Sequence, residues 1–239
     1  MLALVTGAGV RVGKAIALAL AGDGCDVVLH AHTSLNGVRD TAAHIEALGR
    51  RAFLETADLS DDDAVDALAA RIIAAHGTLD VVVHNAAIFE ELSFKDIDRA
   101  RFRRMQRINV EAPFFLTQGL LPALAKSEAP VIVHIVDVTA DRPMNHYAHY
   151  TTSKAALAGL TKALTIELAP KVRVCGVAPG IVAFPKDFSP EQRAHILQRI
   201  PLRREGSPDD VGRAVAFLVR SPYMNGVLLP VDGGWQVTL

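Results

Sequence analysis

The feature that most restricts this fold is a repeated alternation of short apolar runs with longer amphipathic or Ala-rich stretches. The runs predict strands over residues 2–6, 26–31, 51–56, 80–84, 130–136, 172–177 and 227–231. Between and after them, helices are expected over 13–22, 37–48, 61–76, 98–125, 150–168, 190–199 and 209–219. Strands alternating with helices imply a mainly parallel sheet covered on both faces, joined by right-handed crossovers. The expectation is therefore an α/β, Rossmann-type, doubly wound parallel sheet of seven strands with helices on both faces. No repeat, low-complexity segment or linker divides the chain, so residues 1–239 read as one domain.

Composition narrows the function classes. Half of the 239 residues are apolar, enough to bury a full core, and a net charge of −1 gives no electrostatic grip on nucleic acid or membrane. Cys25 and Cys175 fall in separate apolar runs and read as reduced core residues, which suits a cytoplasmic protein. The apolar run at 2–5 is too short for a signal peptide, and no window is long and apolar enough to span a bilayer. The nine histidines show no ligand spacing, so no metal is expected. His30 and His32 read as alternating strand residues, and His146 and His149 as loop residues. Arg99, Arg101, Arg103, Arg104 and Arg107 form a basic cluster, but helical spacing spreads them around a helix, and they read as solvated or subunit-facing surface.

The chemistry-bearing stretch is residues 136–157. Tyr150 and Lys154 lie four apart at the start of an expected helix, so both project from one face. An ammonium beside a phenol favours the phenolate and is expected to pull its pKa, ordinarily about 10, toward neutrality. Tyr150 then becomes a candidate proton donor or acceptor. Tyr147 is a weaker candidate, because Thr151 and not a lysine stands four residues on. Asp137 follows an expected strand, at the carboxyl end where parallel sheets place their chemistry.

At the other end, the first strand runs into Thr6-Gly7-Ala8-Gly9-Val10-Arg11-Val12-Gly13 and then a helix. Glycines at such a turn let backbone approach a pyrophosphate, whose charge the helix N-terminus favours.

Together these motifs resemble the short-chain dehydrogenase/reductase family, with its T-G-x-x-x-G-x-G turn and Y-x-x-x-K pair. Thr6, Gly7, Val12 and Gly13 fall in that turn; Asp58-Leu59 is similar to the adenine-contacting Asp-Leu, and Asn85-Ala86-Ala87 to the family's N-A-G. Asn109 matches the helix asparagine of the catalytic tetrad, which implies that it holds a proton-relay water. Pro179-Gly180-Ile181 matches the turn beside the nicotinamide, and Val231-Asp232-Gly233-Gly234 the C-terminal V-D-G-G. The resemblance covers nearly the whole chain and implies a nicotinamide cofactor, a small-molecule substrate and a homotetramer. It also implies that Lys154 binds the nicotinamide ribose.

Three departures point to one branch. Arg11 stands where the family has its middle glycine, Asp137 where it has serine, and Phe89 where the pteridine reductases place a ring that stacks the pterin against the nicotinamide. A serine hydroxyl suits the developing alkoxide of a ketone, whereas a carboxylate repels it. Asp137 suits a substrate whose ring nitrogen gains the proton from Tyr150, and its charge keeps the phenol protonated against the pull of Lys154. A cation at Arg11 suits a flat heterocycle lying beside phosphates. The second expected strand ends in His30-Ala31-His32-Thr33-Ser34 with no acid, since Asp26 is at its other end. With Arg11 nearby, His32, Thr33 and Ser34 can accept a phosphate, which favours NADP(H). The expected activity is thus NADPH-dependent reduction of a dihydropterin or dihydrofolate ring. Rival readings are a ketone, 3-oxoacyl or sugar-alcohol oxidoreductase and, from another class, a non-catalytic NADP(H)-binding regulator. Residues 182–208 correspond to a substrate-covering segment, where Arg203 and Arg204 could meet an acidic tail but read more safely as solvated surface.

Overall fold

The computed structural model describes residues 1–184 and 188–238. Seven parallel strands form one sheet in the order β3-β2-β1-β4-β5-β6-β7. They are β1 Leu2–Val5, β2 Asp26–Ala31, β3 Ala52–Thr56, β4 Val81–His84, β5 Val131–Ile135, β6 Arg173–Pro179 and β7 Leu228–Val231. The helices are α1 Arg11–Gly22, α2 Leu35–Ala47, α3 Asp62–His76, α4 Arg99–Gln106, α5 Ala112–Leu124, α6 Ala148–Glu167, α7 Pro190–Leu197 and α8 Pro208–Arg220.

The period of two in each strand divides the core. Val5, Leu29, Val83, Val133 and Val177 pack with Ile16, Leu20, Ile45, Val215 and Leu218 of α1, α2 and α8. Leu4, Val28, Val82, Ile132 and Val174 point the other way, onto Leu68, Ile72, Leu116, Leu120 and Leu124 of α3 and α5. Every strand in the centre is therefore buried on both faces, which explains the β-branched runs that made it legible. No helix among the described residues is long and apolar enough to cross a membrane.

One expected element is corrected. Residues 98–125 do not form one regular helix: a π-helical turn, Arg107–Glu111, joins α4 to α5. Its buried Asn109 binds outside the rod. The amide oxygen accepts from Ile88 N at 2.9 Å, while Nδ2 donates to Ile88 O at 3.1 Å and Ser153 Oγ at 3.0 Å. These anchors fix the extra residue in the turn. Two histidines are also corrected: His32 follows the end of β2, and His149 lies in the first turn of α6, fully buried.

The sheet order reverses its direction of growth at β1, which has β2 on one side and β4 on the other. A crevice opens there at the carboxyl edge. Thr6 closes its floor: Oγ1 accepts from Asn85 N and Ala86 N, both at 3.0 Å. Gly13 packs so closely behind it that an added Cβ would lie 2.0 Å from Gly7 O. Gly13→Ala is expected to cost about 3 kcal/mol or more of stability through overpacking, read as a lower denaturant midpoint.

Candidate active site

A cavity of about 1340 Å³ runs along the crevice. One end is walled by the turn after β1 and by His32, Thr33, Ser34, Asp58 and Leu59; the other by Phe89, Asp137, Tyr150, Lys154 and the Pro179–Gly180–Ile181 turn. Of the residues singled out from sequence, Gly7, Arg11, Val12, Gly13, Asn85 and Ala86 also line it, whereas Thr6 and Asn109 are buried behind its wall. The Asn109 side-chain amide links Ile88 to Ser153, whose hydroxyl donates to Tyr150 O at 2.7 Å.

The glycine end is a fitting cradle for a pyrophosphate. Gly7 is left-handed (φ +66°), and a Cβ on Gly9 would lie 2.9 Å from Ser34 O. Helix α1 begins there without a side-chain cap, leaving its first-turn N–H groups to an anion. His30, unremarked as a site residue, ties the turn to the sheet: Nδ1 accepts from Gly7 N at 3.3 Å, and Nε2 lies 3.2 Å from Ala57 O. Those partners assign the proton to Nε2, and burial lowers the ring's pKa. His32 Nδ1 sits 3.8 Å from Asp58 Oδ1, whose carboxylate is held by Ser60 N and Oγ at 2.9 and 2.7 Å.

Arg11 lines the cavity beside the glycine turn. At φ +49° it occupies the left-handed region that the family's glycine favours, and its Nη2 donates to Ala183 O at 2.9 Å. It bridges the glycine turn to the loop after β6.

At the chemical end, Tyr150 Oη donates to Asp137 Oδ2 at 2.7 Å, and Asp137 Oδ1 accepts from Thr139 N at 2.8 Å. Lys154 Nζ instead donates to Ile135 O at 2.8 Å, 5.8 Å from the centre of the Tyr150 ring. The expected pull toward neutrality is therefore reversed: burial, then the Asp137 charge and hydrogen bond, raise the Tyr150 pKa well above its ordinary value. Burial lowers Lys154 to about 8 despite the opposing Asp137 charge. Beneath it His134, in β5, is pushed down to about 3, first by burial and then by the Lys154 charge. The phenol thus holds its proton firmly beside a lysine whose charge is weakened by burial.

Phe89 is half exposed, with its ring stacked on Tyr147 at 4.6 Å and its edge against Tyr150 at 4.8 Å. Tyr147, passed over for want of a lysine, donates to Glu91 Oε2 at 3.0 Å. Arg104, Arg199 and Trp235 line the cavity without having been foreseen there. Gln192 and Ile196, four apart, share one face of α7, and Arg199 follows in the turn after it; all three line the cavity. The substrate-covering segment expected over 182–208 includes this helix, while its residues 185–187 lie outside the described ones. Arg203 and Arg204 point elsewhere, donating to Gln198 O and Glu205 O, in keeping with solvated surface.

A parallel sheet with a phosphate cradle at its switch point and a buried Tyr–Lys pair at the carboxyl edge defines a dinucleotide-dependent oxidoreductase. A family model described as enoyl-(acyl carrier protein) reductase matches residues 7–236. Oxidoreductase YmfI of Bacillus subtilis is 32% identical over 98% of both chains. The 7alpha-hydroxysteroid dehydrogenase of Escherichia coli is 33% identical over 97% of this chain and 92% of its own. The structure of FolM alternative dihydrofolate reductase 1 from Brucella canis, complexed with NADP, superposes with a TM-score of 0.92 at 29% identity, covering 100% of this chain and 94% of that one. The chain belongs to the short-chain dehydrogenase/reductase family.

Proposed function

We propose that this protein is an NADPH-dependent reductase of a dihydropterin- or dihydrofolate-type ring. The observation that carries the reading is the 2.7 Å hydrogen bond from Tyr150 to Asp137 beside the half-exposed Phe89 ring. A serine in that place would serve a carbonyl oxygen; a carboxylate serves an acid that delivers its proton to nitrogen. The lack of an acid at residues 32–34 and the NADP carried by the similar FolM structure support NADP(H) as the cofactor.

When bound, the reduced nicotinamide supplies hydride to the carbon of a ring C=N bond. Tyr150 gives its proton to the adjacent nitrogen, so the bond becomes CH–NH. Asp137 accepts the hydrogen bond before transfer and relays a replacement proton afterwards. Lys154 holds the ribose and, while charged, stabilises the transient phenolate. Phe89 offers a flat face for the heterocycle. Asn109 acts as a positioning residue through Ser153 and Ile88. The reading extends to a cytoplasmic homotetramer: exposed Phe102, Phe114 and Phe115 on the α4–α5 rod offer apolar surface for assembly, which light scattering tests.

NADPH oxidation with dihydrobiopterin, dihydrofolate and a short β-ketoacyl thioester tests the reading. Turnover of the pteridines is expected, and turnover of the thioester alone rejects it. Asp137→Ser is expected to lower pteridine reduction about tenfold, the equivalent of one pKa unit of mismatch in the proton donor. Unchanged reduction by that variant would remove the role given to the carboxylate.

A further inference from the structure

We propose that Glu91 is a specificity-determining residue that reads the amino edge of the substrate ring; this rests on the heterocycle reading above. Two glutamates follow Phe89, and their surroundings separate them. Glu90 is engaged by Arg101 at 2.8 Å and faces His149 at 3.5 Å. Glu91 lines the cavity, has no basic partner within 4 Å among the described residues, and accepts only from Tyr147.

That single contact sets its geometry. Tyr147 is itself buried, stacked on Phe89, and its hydroxyl meets Glu91 Oε2 at 3.0 Å. The segment after Phe89 is also fastened to the one before Tyr147 by its backbone, with Leu92 N donating to His146 O at 2.8 Å. Glu91 is exposed; Tyr147 anchors its Oε2, and Oε1 has no hydrogen-bond partner among the described residues. Such a group prefers parallel N–H donors and repels anionic substituents. A ring that carries an amino group next to a ring N–H presents two such donors along one edge. With the Phe89 face beside it, Glu91 selects a flat amino-substituted heterocycle over a ring bearing oxygen at that position.

The test uses the NADPH-bound enzyme with two substrates, 6-methyl-7,8-dihydropterin and its counterpart with oxygen in place of the 2-amino group. Glu91→Gln keeps an oxygen for Tyr147 but exchanges an acceptor and its charge for a donor. It is expected to raise KM for the amino compound about tenfold with kcat nearly unchanged, and to leave KM for the oxo compound alone. Glu91→Asp, which keeps the charge, is expected to retain a preference for the amino ring. Equal rises for both rings, or a fall in kcat at constant KM, would overturn the assignment and leave Glu91 a mere fastening for Tyr147. If Glu91→Gln does not fold, loss of the amino preference in Glu91→Asp would overturn it, and its retention supports it. Wild-type enzyme that reduces neither ring sinks the heterocycle reading itself, before any substitution at this position is made.

Discussion

Tyr150→Phe is expected to lower kcat for NADPH-dependent reduction about a thousandfold while leaving NADPH affinity within about twofold of wild type. In the proposed reaction the phenol is the acid; it lies beside Asp137 at the cavity, and burial and the carboxylate secure its proton. Removing the hydroxyl removes that proton and one partner of Asp137, but it leaves the ring packed with Met105 and Tyr147. Stopped-flow measurement of NADPH oxidation, with NADPH binding followed separately by fluorescence, checks both halves. A variant that turns over at the wild-type rate would show that protonation comes from elsewhere. Equal inertness of wild type and variant toward every reducible substrate would favour a cofactor-binding regulator.

Lys154→Met is expected to cost about a hundredfold in kcat/KM and to change the pH profile. Burial and Asp137 keep the Tyr150 proton in place, whereas Lys154, lowered to about 8, titrates within the working range. In wild type, kcat/KM should fall as pH rises through that value and the ammonium is lost; in the variant that limb should be absent. Stability moves the other way. The folded pKa lies below the unfolded value of 10.5, so between about 8 and 10.5 the unfolded chain binds the extra proton and stability rises with pH. Below about 8 the fold carries the full cost of a buried charge. Lys154→Met is therefore expected to melt higher than wild type at pH 7, with the gap closing as pH approaches 10.5. A variant less stable at pH 7 than at pH 10, relative to wild type, would contradict the assignment of this shift to burial.

The strands and the two ends of the site were legible because their signals are local. Val81-Val82-Val83 has the composition of a strand buried on both faces, and Tyr150 and Lys154 share a helix face by spacing alone. What escaped depends on contacts distant in sequence. The pKa direction of Tyr150 turned on its burial and on the Asp137 carboxylate, 13 positions away, which no helical spacing could reveal. Glu91 and Tyr147 are 56 positions apart. Arg11 joins Ala183 across 172 positions, so its side chain could not be placed from the turn in which it stands.

The wide turn at residues 107–111 has a consequence for how the enzyme tolerates change. Each residue advances a helix by about 100°, so one surplus residue acts as a fixed angular offset between the two halves of the rod. The leading half is indexed to the tyrosines through Met105, and the trailing half to the sheet through Leu116, Leu120 and Leu124. Deleting Val110 would leave a smoother rod that can satisfy only one of these alignments. The larger sheet contact should win, yielding a folded protein whose tyrosines have lost their backing. An apparent irregularity thus sets the clocking between the scaffold and the chemistry it carries.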